Sequence, residues 1–112
     1  MPYVFALALT VLVEVPVYIA ALTVAGRVRP TRAGVAALIV NGVTHPPLWW
    51  FLTHVPAAGY WEYFAVAEAV VCLVEGVLLS RMLRLRGPVP YAASVTANAA
   101  SIIAGLLLAR AT

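Results

Sequence analysis

Four long apolar runs, separated by short connections richer in polar, Gly and Pro residues, divide the 112-residue chain into nearly equal quarters. They cover Tyr3 to Ala25, Ala33 to Thr53, Tyr60 to Arg84 and Val89 to Arg110. A helix that crosses a bilayer needs about 20 mainly apolar residues, so each run predicts one transmembrane helix (3–25, 33–53, 60–84 and 89–110). The connections, roughly Gly26 to Arg32, His54 to Gly59 and Leu85 to Pro88, are too short to hold a soluble domain. The expected architecture is therefore one all-α membrane domain over residues 1–112, a four-helix bundle with its chemistry in or beside the lipid.

Composition agrees. The chain is 64% hydrophobic and 10% charged, with a mean hydropathy of +1.00, whereas soluble domains are about 25% charged. Met1-Pro2-Tyr3 opens directly into a full-length span, without the positive n-region of a cleavable signal, so the first helix is expected to remain in the mature protein. Cys72, the only cysteine, has no partner for a disulfide.

The net charge of +3 comes from arginines distributed as a topology signal. Arg27, Arg29 and Arg32 flank the first connection and Arg81, Arg84 and Arg86 the third, while only Arg110 lies toward the opposite end. The positive-inside rule then puts both arginine-rich connections in the cytoplasm and both termini outside. The expected location is a bacterial or archaeal cytoplasmic membrane, with the bilayer as partner and no role for nucleic acid. Tyr3, Trp49, Trp50, Phe51, Tyr60, Trp61, Tyr63 and Phe64 fall at the other ends of the spans, where an interfacial aromatic belt belongs.

The second half of the chain weakly echoes the first. Leu12-Val13-Glu14-Val15 aligns with Leu73-Val74-Glu75-Gly76, and Asn41-Gly42-Val43-Thr44 with Asn98-Ala99-Ala100-Ser101. Each unit holds two spans, so the pattern predicts two parallel helical-hairpin repeats about an axis along the membrane normal.

Candidate chemistry follows from three of the four acidic residues, Glu14, Glu68 and Glu75, which sit inside apolar runs. A charge at the centre of a membrane helix costs roughly 2.5–3.5 kcal/mol on insertion scales, and such residues mark proton, ion or substrate pathways. Counting from the aromatic ends at 1.5 Å per residue puts Glu68 roughly 12 Å, Glu14 roughly 16 Å and Glu75 roughly 22 Å deep. Asn41, His45 and Asn98 fall in the same slab. Glu14 and Glu75 are thus candidate proton or cation carriers, with Glu68 and His45 as an outer gate and Asn41, Asn98, Thr44 and Ser101 as supporting polar groups. Pro16, Pro46 and Pro47 predict helix breaks, because proline removes a backbone donor; the carbonyls of Leu12, Gly42 and Val43 would be freed.

The reading favours a small proton- or cation-coupled transporter or channel. Its rival is a non-catalytic subunit that docks to larger membrane partners, with the polar face turned outward. An intramembrane metal site (candidates Glu14, His45 and Glu68) or an enzyme is disfavoured: there is no Glu-x-x-His pair, His-Glu-x-x-His motif or Gly-x-Ser-x-Gly motif. The sequence leaves any cofactor unknown. Small residues at Ala93, Ala97, Ser101, Gly105 and Ala109, and at Cys72, Gly76 and Ser80, offer close helix contacts, within the bundle or across a homodimer or larger homo-oligomer.

Overall fold

The computed structural model describes residues 3–111, and within them four helices in chain order: α1 (Tyr3–Val24), α2 (Pro30–His54), α3 (Tyr60–Leu83) and α4 (Val89–Ala111). Met1, Pro2 and Thr112 lie outside the described residues, as does the side chain of Tyr3 and so its expected place in the aromatic belt. All four helices are long and apolar enough to cross a membrane. There is no strand among the described residues.

The apolar runs locate the helices closely, with one shift. α2 begins at Pro30, ahead of the run that opens at Ala33. Proline at the first helical position loses no hydrogen bond and has the right φ already, and the Ala33 N–H closes the first turn on the Arg29 carbonyl at 2.9 Å. At the arginine end both hairpins turn on an arginine with left-handed backbone, Arg27 at φ 57° and Arg84 at φ 53°. The Arg84 and Leu85 N–H groups both return to the Ser80 carbonyl, closing α3.

α1 packs on α2 and α4, and α3 packs on the same two, so the helices form a ring with α1 and α3 on one diagonal. The half of the ring toward the arginines is close-packed. Its buried apolar residues are Tyr18, Leu22, Val28, Ala33, Ala36, Ala37, Val40, Leu79, Leu83, Ala93 and Ala97. Alanine dominates because small side chains let helix backbones approach.

Part of each small-residue stripe is used inside this bundle, while Ala109 at the end of the α4 stripe is exposed. Ala93 and Ala97 of α4 are buried. On α3, Gly76 lies against the Tyr91 ring of α4, and one turn away the Ser94 hydroxyl donates to the Cys72 carbonyl at 2.8 Å.

The expected helix breaks require correction. α1 runs unbroken through Pro16, and α2 through Pro46 and Pro47. All three prolines are exposed on the outer surface, as are Leu12, Gly42 and Val43, whose carbonyls they free. A missing bond on the outward face lets a helix bend without opening it. These carbonyls therefore belong to the outside of the bundle and not to its polar interior.

Candidate functional site

Seven polar residues of the four helices point inward. Glu14, Asn41, Thr44, His45, Glu75, Ser94 and Asn98 are all buried, while Val4, Leu12, Val24, Val66, Leu73 and Leu107 are among the large side chains exposed outside. A polar group without a partner in hydrocarbon costs several kcal/mol. Interior convergence removes that cost for Glu75, Thr44 and Asn98.

One residue from each helix meets at Glu75. The Tyr18 hydroxyl crosses the diagonal from α1 and donates to Glu75 Oε1, Asn98 Nδ2 of α4 donates to the same oxygen at 2.9 Å, and the Thr44 hydroxyl of α2 donates to Oε2 at 2.5 Å. Tyr18 is fully buried and Glu75 is 1% exposed. Thr44 Oγ1 also lies 2.9 Å from the Val40 carbonyl. A hydroxyl has one proton to give, so if Thr44 spends it on Val40, a protonated Glu75 can donate to Thr44 instead. The cluster closes with Glu75 in either state.

Above this cluster, toward the aromatic end, lies a cavity of about 330 Å³. Glu14 and Thr10 line it from α1; Asn41, Thr44, His45 and Trp49 from α2; Tyr60, Trp61, Phe64 and Glu68 from α3; and Asn98, Ser101 and Gly105 from α4. Glu75 does not line it, and Thr44 and Asn98 separate the two. At the mouth, Tyr60, Trp61 and Phe64 pack ring to ring with centroids 5.4–6.2 Å apart. His45 lies parallel to the Trp49 ring, 6.5 Å between centroids.

The carboxyls differ in how they are held. Glu14 is 2% exposed, yet its Oε1 has no hydrogen-bond partner. Ser101 presents its hydroxyl to the same carboxyl. Glu68, half-buried, stands nearer the mouth. The amides of Asn41 and Asn98 are anchored alike, each Nδ2 donating to the carbonyl four residues back, Ala37 at 2.9 Å and Ser94 at 2.8 Å.

The sequence-derived site residues thus fall into two groups. Glu14, Glu68, His45, Asn41, Asn98, Thr44 and Ser101 share one cavity, and Glu75 lies beneath it. The metal candidates Glu14, His45 and Glu68 line the same space, but among the described residues no three His, Cys, Asp or Glu side chains converge as a metal site. Sequence reasoning missed Tyr18 and Ser94. A tyrosine one helical turn from Glu14 on the same face was the available signal, masked by its apolar surroundings.

With this geometry in view, the chain was compared with known proteins. No family model, no curated protein and no solved structure matches it.

Proposed function

We propose that the protein is a small membrane transporter in which Glu14, backed by Glu68 and His45, exchanges a proton or a cation with the aqueous phase at the aromatic end. One observation carries this reading: a buried carboxyl oxygen with no partner on the wall of a cavity that all four helices line. An unpaired polar atom at that depth is a cost the fold retains without structural return. Glu75, held from three helices, serves as the post that sets Thr44 and Asn98 in place.

The bundle is 42 Å along its longest axis, against about 40–45 Å for a bilayer with its headgroup regions. Six arginines at one end and one at the other support a cytoplasmic arginine end. The rival docking role needs polar groups turned outward, and the buried polar residues here turn inward.

An ancestral pair of hairpins accounts for several matched features: Asn41 and Asn98 with the same back-bond, Thr44 and Ser101 each facing the other hairpin's glutamate, and Arg27 and Arg84 in the same left-handed turn. The match fails at Tyr18, whose aligned residue is Leu79. Tyr18 reaches Glu75, and leucine has no group to return to Glu14. The two carboxyls have on this reading parted in role, one pinned and one left open.

The test is charge displacement on a solid-supported membrane. A pH, Na⁺ or K⁺ jump on reconstituted wild-type protein yields a transient current for at least one of these ions, and Glu14→Gln abolishes it. Equal currents from wild type and Glu14→Gln, or none from correctly folded wild type, would refute the transport role.

A further inference from the structure

We infer that the cavity binds a small protonated primary amine, with the ammonium group on the floor beside Glu14 and an apolar, preferably aromatic, body against the walls. The inference deepens the transport reading and rests on it for the side from which ligand enters.

Several polar atoms at the floor are already committed. Asn41 Nδ2 donates to the Ala37 carbonyl, and Asn98 Nδ2 donates to the Ser94 carbonyl and to Glu75. A backbone carbonyl can only accept, so each amide's orientation is set: both N–H groups of Asn98 are used, Asn41 keeps one, and each amide keeps its carbonyl oxygen. The Thr44 hydroxyl is likewise spent below the floor, on Val40 and Glu75. Glu14 adds a carboxyl oxygen with no partner. The floor offers acceptors in excess of donors. A ligand that satisfies it must bring several N–H groups and positive charge, and an alkylammonium brings three N–H groups on one atom.

The walls specify the remainder of the ligand. Trp49, Tyr60, Trp61 and Phe64 stand between the floor and the mouth, a lining that buries an apolar body and whose ring faces attract cations. A volume of about 330 Å³ lies at the lower end of the roughly 300–1,000 Å³ typical of small-molecule sites. Other ligand classes fit worse. An anion meets two carboxyls, a divalent metal finds no convergent ligand set among the described residues, and a neutral apolar guest leaves Glu14 unpaired. A quaternary ammonium carries charge but no N–H for the acceptors.

The experiment uses full-length protein in nanodiscs, titrated with three probes of one shape: 2-phenylethylammonium, its N,N,N-trimethyl derivative and neutral propylbenzene. Binding is read by calorimetry and by fluorescence of the two tryptophans that line the cavity. The primary amine is expected to saturate one site, with the trimethyl probe and propylbenzene each at least tenfold weaker, a difference of about 1.4 kcal/mol. Glu14→Gln and Asn41→Leu should each weaken the amine at least fivefold while leaving propylbenzene unchanged, which also shows that the cavity is intact. Propylbenzene binding as tightly as the amine overturns the inference in favour of a plain apolar pocket. Equal affinity for the trimethyl probe overturns the acceptor argument, and no saturable amine binding by folded wild type overturns the whole. Saturable, Glu14-dependent amine binding without ion-jump currents would instead sink the transport reading alone. Currents without amine binding would sink the ligand assignment alone.

Discussion

Replacing Glu75 by leucine removes the acceptor on which all four helices meet, and the arrangement of its partners dictates how the damage distributes. Three interhelical hydrogen bonds are lost, and at an average of about 0.6 kcal/mol for such bonds in membrane proteins the loss is about 2 kcal/mol. Thr44 retains the Val40 carbonyl and Asn98 the Ser94 carbonyl. Tyr18, which is fully buried and donates to Glu75, is left with only the Ser94 hydroxyl oxygen beside it, and a buried hydroxyl so nearly orphaned adds a further ~1 kcal/mol. Glu75→Leu should therefore destabilise by about 3 kcal/mol.

Tyr18→Phe alone loses one bond, about 0.6 kcal/mol. The informative variant is the double. Phenylalanine removes the orphan, so Tyr18→Phe/Glu75→Leu should be about 1 kcal/mol more stable than Glu75→Leu alone. Equilibrium unfolding in mixed micelles, by circular dichroism over a detergent titration, measures all four corners of this cycle. A double variant equal to or less stable than Glu75→Leu would refute the claim that the Tyr18 hydroxyl depends on Glu75.

Three further outcomes follow from the same geometry. Gly76→Ala puts a methyl group into the Tyr91 ring and should cost about 1–3 kcal/mol as overpacking; in a Tyr91→Ala background the same change should be close to neutral, as thermal unfolding will show. Glu14→Met should stabilise the fold by about 1 kcal/mol in the same assay while ion-jump currents disappear, because a site residue held for function is a common reserve of stability. Gly105 lines the cavity and a Cβ there meets nothing within 4 Å, so Gly105→Leu should leave the melting temperature near that of wild type and reduce amine binding at least fivefold by filling the space.

The sequence reveals the axial coordinate of this protein well and the azimuthal one poorly. Apolar runs and arginine clusters locate the spans and connections because burial in lipid depends on depth, which is a property of position along the chain. Glu14, Asn41, His45, Glu68 and Asn98 were legible as one polar slab for the same reason. Which way a residue faces around its helix depends on neighbours far away in sequence. Pro16, Pro46 and Pro47 share the slab's depth yet face outward. Tyr18 reads as one more bulky residue in an apolar stretch, and only α3 reveals its partner, 57 positions on. Glu14 and Glu75 read alike in the sequence, and what separates them is that Tyr18, Thr44 and Asn98 bond to Glu75 while one Glu14 oxygen has no partner.

The cavity that Glu14 lines opens toward the aromatic end, and the half beyond Glu75 is filled largely by alanine, leucine and valine, with a separate hollow beside Arg32 and Leu83. In an energised bilayer, voltage falls across the insulating stretch and scarcely across a water-accessible one. A charge resting at Glu14 would therefore sit close to the electrical potential of the solution beyond the aromatic mouth, and nearly the whole transmembrane drop would lie in the alanine-packed layer. Moving one elementary charge through that layer is worth about 2.3 kcal/mol per 100 mV. A thin plug of small side chains would then carry almost the entire electrical work of a transport cycle.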